Sequence, residues 1–189
     1  MSLILFNKPF QVMCQFSAHP TRDTLADFLT MPDVYPAGRL DADSEGLLLL
    51  TDDGKLQHQF SHPQRKQRKT YLAQVEGNIT SDALTQLRNP LDLGDFTTLP
   101  CDAKHVATPE WLWPRDPTIR ERANTPTNWV AITLEEGKNR QVRRMTAAVG
   151  LPTLRLIRIA IGAFSLATHP LWPGEWREVS AAELTKDQN

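Results

Sequence analysis

The sequence predicts an α+β fold. Segments with the alternating or continuous apolar pattern of strands are interspersed with short segments of helical periodicity. The chain contains no internal repeat, and its segments do not follow the regular strand-helix-strand rhythm of a doubly wound parallel sheet. These features favour α+β over α/β.

The first part of the chain is expected to contain two strands and two short helical segments. In the first helical segment Leu25, Phe28 and Leu29 would form the apolar side, and Pro32 would end it. The second follows a turn at Asp53-Gly54. The predicted elements are a strand at 3–6, a helix at 21–29, a buried strand at 47–51 and an amphipathic segment at 55–60.

The middle of the chain is predicted to alternate strands with helices around one long irregular stretch. Residues 91–127 contain five prolines and little periodicity, so one or two short strands are expected there at most. Around it we predict a strand at 70–75, a helix capped by Thr80 or Ser81 with Leu84 and Leu87 as its apolar stripe, and a strand at 129–134.

The last part should contain a helix and two strands. Asn139 would cap the helix, Val142, Met145 and Val149 would share its apolar face, and Gly150 would end it. Strands are predicted at 153–161 and 163–167, followed by a turn at Pro173-Gly174 and a final helical turn from Ser180 to Leu184.

Composition indicates a protein that can fold without disulfide bonds and without a membrane. A chain of 189 residues, 40% hydrophobic, can bury about 70% of its unfolded surface. We expect one domain over 1–189, with approximate halves 1–65 and 66–185. The chain has no apolar run near the roughly 20 residues that span a membrane, and Met1 to Phe6 lacks the features of a signal peptide. A cytoplasmic location is therefore expected.

Positive charge is concentrated in the middle of the chain. The formal net charge is -1, but residues 65–158 contain 15 Lys and Arg against 10 Asp and Glu, which gives +5, and the remainder carries -6. This uneven distribution can present a basic face to nucleic-acid phosphates.

The cysteines and histidines give little support for a metal or a disulfide. Cys14 and Cys101 are isolated in sequence. His58 and His62 have i, i+4 spacing, but no carboxylate accompanies them in a recognisable ligand motif. We therefore predict no metal and no cofactor.

The segment from Gly38 to Thr51 places Asp41 in a turn just before the apolar strand. A side chain at a strand end is held firmly while remaining accessible, so Asp41 is a candidate reactive acid. A capped turn would use the same residue types. The segment also imitates a calcium loop, but its entry is Tyr35-Pro36-Ala37-Gly38 rather than a helix, and its closing acid is Asp52 rather than Glu, so calcium is rejected.

The run GRLDADSEGLLLLTDDG, residues 38–54, resembles the signature of the RsuA/RluE branch of the RNA pseudouridine synthases. Three other stretches resemble the same family in the same order: residues 7–9 (NKP), 69–71 (KTY) and 136–145 (EGKNRQVRRM). A Trp- and Arg-rich insert at 111–122, with Trp129, is similar to that of a member acting on large-subunit ribosomal RNA. The resemblance covers nearly the whole chain.

The resemblance implies a mixed, largely antiparallel sheet in two halves with a cleft that holds the catalytic Asp. It implies cofactor-free isomerisation of uridine to pseudouridine by base flipping, with Asp41 as nucleophile or base. Tyr71 would stack on the uracil, with a possible part in proton transfer, and Arg143 would form a salt bridge to Asp41. Many relatives carry an N-terminal S4 domain. Because the first strand begins at residue 3, no S4 domain is expected here.

The same resemblance, together with the basic residues, suggests contacts to the substrate. The expected substrate is large-subunit (23S) rRNA or an assembly intermediate, bound by a monomer, with the insert helping to select the site. A small-subunit rRNA enzyme and a non-catalytic ribosome-assembly factor are the alternatives. The predicted substrate-binding residues are Arg39, Lys69, Arg115, Arg140, Arg144 and Leu166.

Overall fold

The structure is a computed structural model that describes residues 2–31, 33–62, 65, 67–119, 122, 124–180 and 183. Contacts divide the chain into two compact units. The first comprises residues 1–67 and 158–189, and the second comprises 68–157. The sequence suggested a second half running to 185, whereas residues from Arg158 onward cluster with the first unit. No helix in the described ranges is long and apolar enough to cross a membrane.

The first unit is built on two fully buried strands. Strands β1 (Leu3–Lys8) and β3 (Glu45–Thr51) pair antiparallel, from Leu3 opposite Thr51 to Lys8 opposite Gly46. They are flanked by strands β2 (Tyr35–Pro36) and β9 (Trp176–Val179), both antiparallel to their neighbours, and by the helix α1 (Gly54–Ser61). Ile4, Phe6, Leu25, Leu29, Val34, Leu48 and Leu50 form its core cluster.

The second unit is a sheet in the order β5-β6-β4-β7. Strand β4 (Lys69–Glu76) pairs antiparallel with β6 (Thr127–Leu134), and β6 pairs antiparallel with β5 (Asp102–Val106). The unit also contains the helices α2 (Ser81–Arg88) and α3 (Gln141–Ala148). Strand β7 (Thr153–Ile161) begins in this unit and continues into the first, where it pairs with β8 (Phe164–Ser165).

The predicted α+β class with a largely antiparallel sheet is confirmed, and most elements lie where the sequence placed them. Thr80 caps α2 through its side chain, which accepts from the backbone N of Ala83 at 3.1 Å. Ala83 and Leu87 form the buried side of α2, while Leu84 is half-buried. Within 91–127 the sequence prediction of a short strand is met by β5.

Two helix predictions were wrong. The helix expected over 21–29 is a single 3₁₀ turn, Leu25–Asp27, because Thr24 is extended and bridges to Met13 as in a strand. Asn139 does not cap α3. The cap position is Arg140, which has left-handed backbone dihedrals and makes no side-chain cap hydrogen bond.

The C-terminal predictions were met in part. The strand expected at 163–167 is limited to Phe164–Ser165, and β9 was not predicted. Val149 lies just beyond the end of α3. The backbone N of Glu183 donates to the carbonyl of Ser180 at 3.0 Å, while Leu184, like Pro32, lies outside the described residues.

Candidate active site

Asp41 lies half-buried in a turn that leads directly into β3. The backbone N of Ser44 donates to its carbonyl at 3.1 Å. Leu40, immediately before it, is buried and anchors the turn, whereas Arg39 is exposed. The carboxylate is therefore carried on a backbone that is fixed on both sides.

Lys8 supports this turn from within the first unit. Its ammonium is fully buried and donates to the carbonyls of Val12 at 2.8 Å, Pro9 at 2.9 Å and Ala42 at 3.5 Å. Burial lowers the pKa of Lys8 to about 8, against the opposing attraction of Glu45 and Asp43. One buried cation thus ties the loop after β1 to the residue next to Asp41.

Arg158 holds the same turn from β7. Arg158 is 3% exposed, and its Nε donates to the carbonyl of Leu47 at 2.8 Å while Nη1 donates to the carbonyl of Arg39 at 3.5 Å. Its backbone crosses so close to Gly46 that a Cβ there would lie 2.3 Å from the Arg158 carbonyl oxygen. Gly46 has φ +106°, so it is required both for conformation and for space.

Sequence reasoning gave Lys8 no role at the site and did not single out Arg158. The signal was present, because Arg155 and Arg158 lie within the apolar run Leu154 to Ile161. Charged residues in a buried strand are rare unless they are paired or hydrogen-bonded. The stretch Asn7-Lys8-Pro9 contributed only to the family resemblance.

Leu166 also belongs to the first unit. It is 4% exposed, and its backbone N donates to the carbonyl of Ile159 at 2.9 Å, just beyond the β7–β8 pair. This fixes a buried apolar residue beside the end of β7. Its predicted contact with the base stays a prediction.

Tyr71 lies on β4 of the second unit, directly opposite Ile132 of β6. It is 8% exposed. Because side chains alternate along a strand, Lys69, Ala73 and Val75 share its face, while Leu72 and Gln74 point to the other face. The strand therefore holds Tyr71 rigidly.

The three arginines of the α3 region differ in their surroundings. Arg140, before the helix, is exposed. Arg143 is half-buried, with Nη1 3.4 Å from the carbonyl of Thr153. Arg144 is bound to Asp95 in an ion pair, donates to the carbonyl of Leu93 at 2.8 Å, and lies 5.0 Å from the ring centroid of Phe96.

The Arg144 ion pair alters the electrostatics of this helix. The hydrogen bond from Arg144 lowers the pKa of Asp95, and the same bond raises the pKa of Arg144. Its charge is thus matched within the protein, which competes with the phosphate contact predicted for it. That phosphate contact, like those of Arg39, Lys69, Arg115 and Arg140, stays a prediction.

A network centred on Gln141 organises the start of α3. Its carboxamide Oε1 accepts from the backbone N of Lys138 at 3.0 Å, and its Nε2 donates to Glu136 at 2.5 Å. Glu136 also accepts from the backbone N of Leu99 at 2.8 Å. The segment before α3 is thus held by Glu136 and Gln141, and no side-chain cap is present at the start of the helix.

The structure places the predicted residues in both units. The first unit contains Asp41, Arg39 and Leu166. The salt bridge between Asp41 and Arg143 stays a prediction. The second unit contains Lys69, Tyr71, Arg115, Arg140, Arg143 and Arg144. Among the described residues, no group of three or more His, Cys, Asp or Glu side chains could hold a metal ion.

Comparison with known proteins identifies the family. Residues 2–148 match the family described as RNA pseudouridylate synthase. The chain belongs to the RNA pseudouridylate synthase family. It is 53% identical, over 93% of its length and 94% of the relative's, to the ribosomal large subunit pseudouridine synthase E of Xanthomonas campestris. It is 51% identical, over 94% of its length and 75% of the relative's, to the protein of the same name from Vibrio vulnificus.

A solved structure supports the same assignment. The crystal structure of a pseudouridylate synthase is 27% identical and has a TM-score of 0.78, covering 97% of this chain and 72% of that one. The family resemblance expected from the four motifs is therefore confirmed, and with it the class of enzyme, an RNA-uridine isomerase.

Proposed function

We propose that this pseudouridine synthase isomerises a specific uridine of large-subunit (23S) ribosomal RNA. The observation that carries the proposal is 53% identity to a large-subunit synthase E over 93% of the chain. The supporting structural feature is Asp41, held at the mouth of a buried strand by Lys8 and Arg158. We take naked rRNA or an assembly intermediate as substrate and the monomer as the working unit.

The reaction breaks the bond between uracil N1 and ribose C1′ and joins C1′ to uracil C5. The proton on C5 is lost and N1 gains one, so no redox partner is required. Asp41 acts as nucleophile or base in this exchange, which requires an ionised carboxylate in a partly dry site. Burial raises the pKa of a carboxyl and a nearby cation lowers it. By family resemblance, Arg143 is the cation assigned to Asp41.

The target uridine must leave its base stack before Asp41 can act on it, at a cost of a few kcal/mol. Tyr71 is assigned to stack on the flipped uracil, with Leu166 packing beneath it. The phenol of Tyr71 is also a candidate for moving the C5 proton. Basic side chains such as Lys69 and Arg140 offset the flipping cost by contacting phosphate.

The direct test uses rRNA transcribed with [5-³H]uridine, because formation of the C5 bond expels the label. Wild type should release tritium from 23S rRNA and not from 16S rRNA. Asp41→Asn should lower the rate by at least about 10³-fold, as expected for the loss of an essential nucleophile or base. Asp43→Asn, which neutralises the other half-buried carboxylate of the same turn, should retain activity.

Other outcomes would replace the proposal. Release from 16S rRNA alone would indicate a small-subunit enzyme. RNA binding without release from either transcript would indicate a non-catalytic assembly factor. Unchanged release by a folded Asp41→Asn protein would show that Asp41 is not the essential acid. Melting curves establish that each variant is folded.

A further inference from the structure

The second unit contains a pocket of about 580 Å³ between its sheet and the Trp-rich insert. The insert segment from Thr108 to Ile119 forms one wall, and β4, β6 and β7 form the other through Gln74, Trp129 and Arg155. A volume of this size lies in the range of small-ligand sites. The insert thus creates a cavity as well as covering the sheet.

This pocket is on the face of the sheet opposite Tyr71. Gln74 lies three residues from Tyr71 on the same strand, so their side chains point to opposite faces. Trp129 is directly opposite Gln74 on β6, whereas Ile132 is opposite Tyr71. The pocket is therefore separate from the face assigned to the target uracil.

The pocket wall combines aromatic rings with a buried cation. Trp113 and Trp129 are each 5% exposed. Arg155 is 4% exposed, donates to the carbonyl of Trp113 at 3.1 Å, and has its guanidinium carbon 5.8 Å from the Trp113 ring centroid. Gln74 donates to Thr127 at 3.4 Å at the same wall. Indole faces stack on bases, and carboxamides and hydroxyls can hydrogen-bond their edges.

The insert also presents an aromatic side chain outside the pocket. Trp111 is 45% exposed, although its ring centroid lies 5.9 Å from that of buried Trp113. A large exposed aromatic next to a pocket is a ready stacking platform for a second base. Arg115 lines the pocket, and its side-chain Nε donates to the carbonyl of Pro117 at 2.9 Å.

We propose that this pocket binds an unpaired nucleotide of the substrate RNA, outside the catalytic position, with the neighbouring base stacked on Trp111. The inference rests on the proposed function in taking RNA as the ligand. On this proposal the insert binds single-stranded RNA near the target uridine. An enzyme of this design would need an unpaired segment beside the modified uridine.

Ultraviolet cross-linking of wild type to unlabelled 23S rRNA transcript, followed by peptide mapping, tests the contact itself. Cross-links should fall within residues 108–119 or on Trp129. Cross-links confined to other segments would overturn the proposal. This readout does not depend on catalysis, so it stays informative if no tritium is released.

Two pairs of variants test the pocket and its platform through the Kd for the same transcript. Thr118→Glu places a carboxylate at an exposed position of the pocket, and Thr85→Glu makes the same change at an exposed position of α2. Trp111→Ala removes the platform, and Trp172→Ala removes a Trp that is 61% exposed elsewhere. Trp111→Ala should raise the Kd about tenfold or more through loss of base stacking, and Thr118→Glu should raise it by a similar factor because its carboxylate repels the RNA phosphates.

The two controls should bind like wild type. If Thr118→Glu and Trp111→Ala also bind like wild type, the pocket does not hold RNA, even if tritium release shows an active synthase. If they weaken binding and the cross-links map to the insert while no tritium is released, the pocket binds RNA and the proposed reaction is what fails.

Discussion

Gly46 is the residue at which backbone geometry most directly supports the turn that contains Asp41. Its φ is +106°, and a Cβ would lie 2.3 Å from the carbonyl oxygen and 2.8 Å from the nitrogen of Arg158. Both contacts are to backbone, which cannot rotate away as a side chain can. The strand that carries Glu45 and follows Asp41 therefore depends on the absence of a side chain here.

Gly46→Ala should lower the free energy of unfolding by about 3 kcal/mol or more, because strain at positive φ and overpacking each cost about 1–3 kcal/mol. Urea unfolding measures the change. Gly38→Ala separates the two causes, since Gly38 has φ +90° and open space around it. Gly54→Ala, with open space at the start of α1, should change stability by less than about 1 kcal/mol. Equal losses at all three positions would refute the role of the close contact.

At the scale of the element, α3 shows how one helix divides its positive charges. The ion pair with Asp95 neutralises Arg144, while Arg140 is exposed at the cap position. A cation already paired within the protein releases few counterions when RNA binds. Arg144 should therefore contribute little to RNA affinity.

Arg140→Asn should reduce the slope of the logarithm of the RNA association constant against log salt by about 1, because the phosphate contact predicted for Arg140 would be lost. Asn tolerates the left-handed backbone at this position, where φ is 50°, so the substitution should preserve α3. Arg144→Gln should leave the slope nearly unchanged. Filter binding of the rRNA transcript between 50 and 200 mM salt gives both values. A lower slope for Arg144→Gln would restore the phosphate role predicted from sequence.

The elements that the sequence predicted well are those whose apolar pattern is decided locally. The run Leu47 to Leu50 specifies a buried strand, and Thr80 specifies a cap by its own side chain. The failures involve partners distant in sequence. Met13 bridges Thr24 and prevents a helix there, and Glu136 and Gln141 organise the start of α3 in place of Asn139.

The same distinction applies to the candidate site. Asp41, Tyr71 and Arg143 were predicted from motifs that are contiguous in sequence. The contact between Lys8 and Ala42 joins positions 34 residues apart, and that between Arg158 and Leu47 joins positions 111 apart. Only the fold brings such pairs together. The pocket under the insert was hidden for the same reason, since Gln74, Trp113 and Arg155 come from separate stretches of sequence.

For the whole molecule, buried titratable groups in both units set opposing dependences of stability on pH. Lys8 has its pKa lowered by burial from 10.5 to about 8, so the unfolded chain binds more protons between these values and stability rises with pH. Cys101 has its pKa raised by burial from 9.0 to about 11, so the folded chain binds more protons there and stability falls. Burial also raises the pKa of Cys14, with the same sign.

Wild type should therefore gain stability just above pH 8, where the effect of Lys8 is larger than that of the cysteines, and then level off towards pH 9 as the cysteines oppose it. The Cys14→Ala/Cys101→Ala double variant should continue to gain stability up to pH 10.5, by about 3 kcal/mol at most from the Lys8 shift. In Lys8→Met the increase of stability with pH should be absent, and only the decrease caused by the cysteines above pH 9 should remain. Urea unfolding at each pH gives the free energy of unfolding. Its slope against pH does not depend on the constant free-energy cost of each substitution. If Lys8→Met kept the wild-type slope from pH 8 to 9, the ammonium under the Asp41 turn would have an ordinary pKa, and the buried charge that we assign to that turn would be wrong.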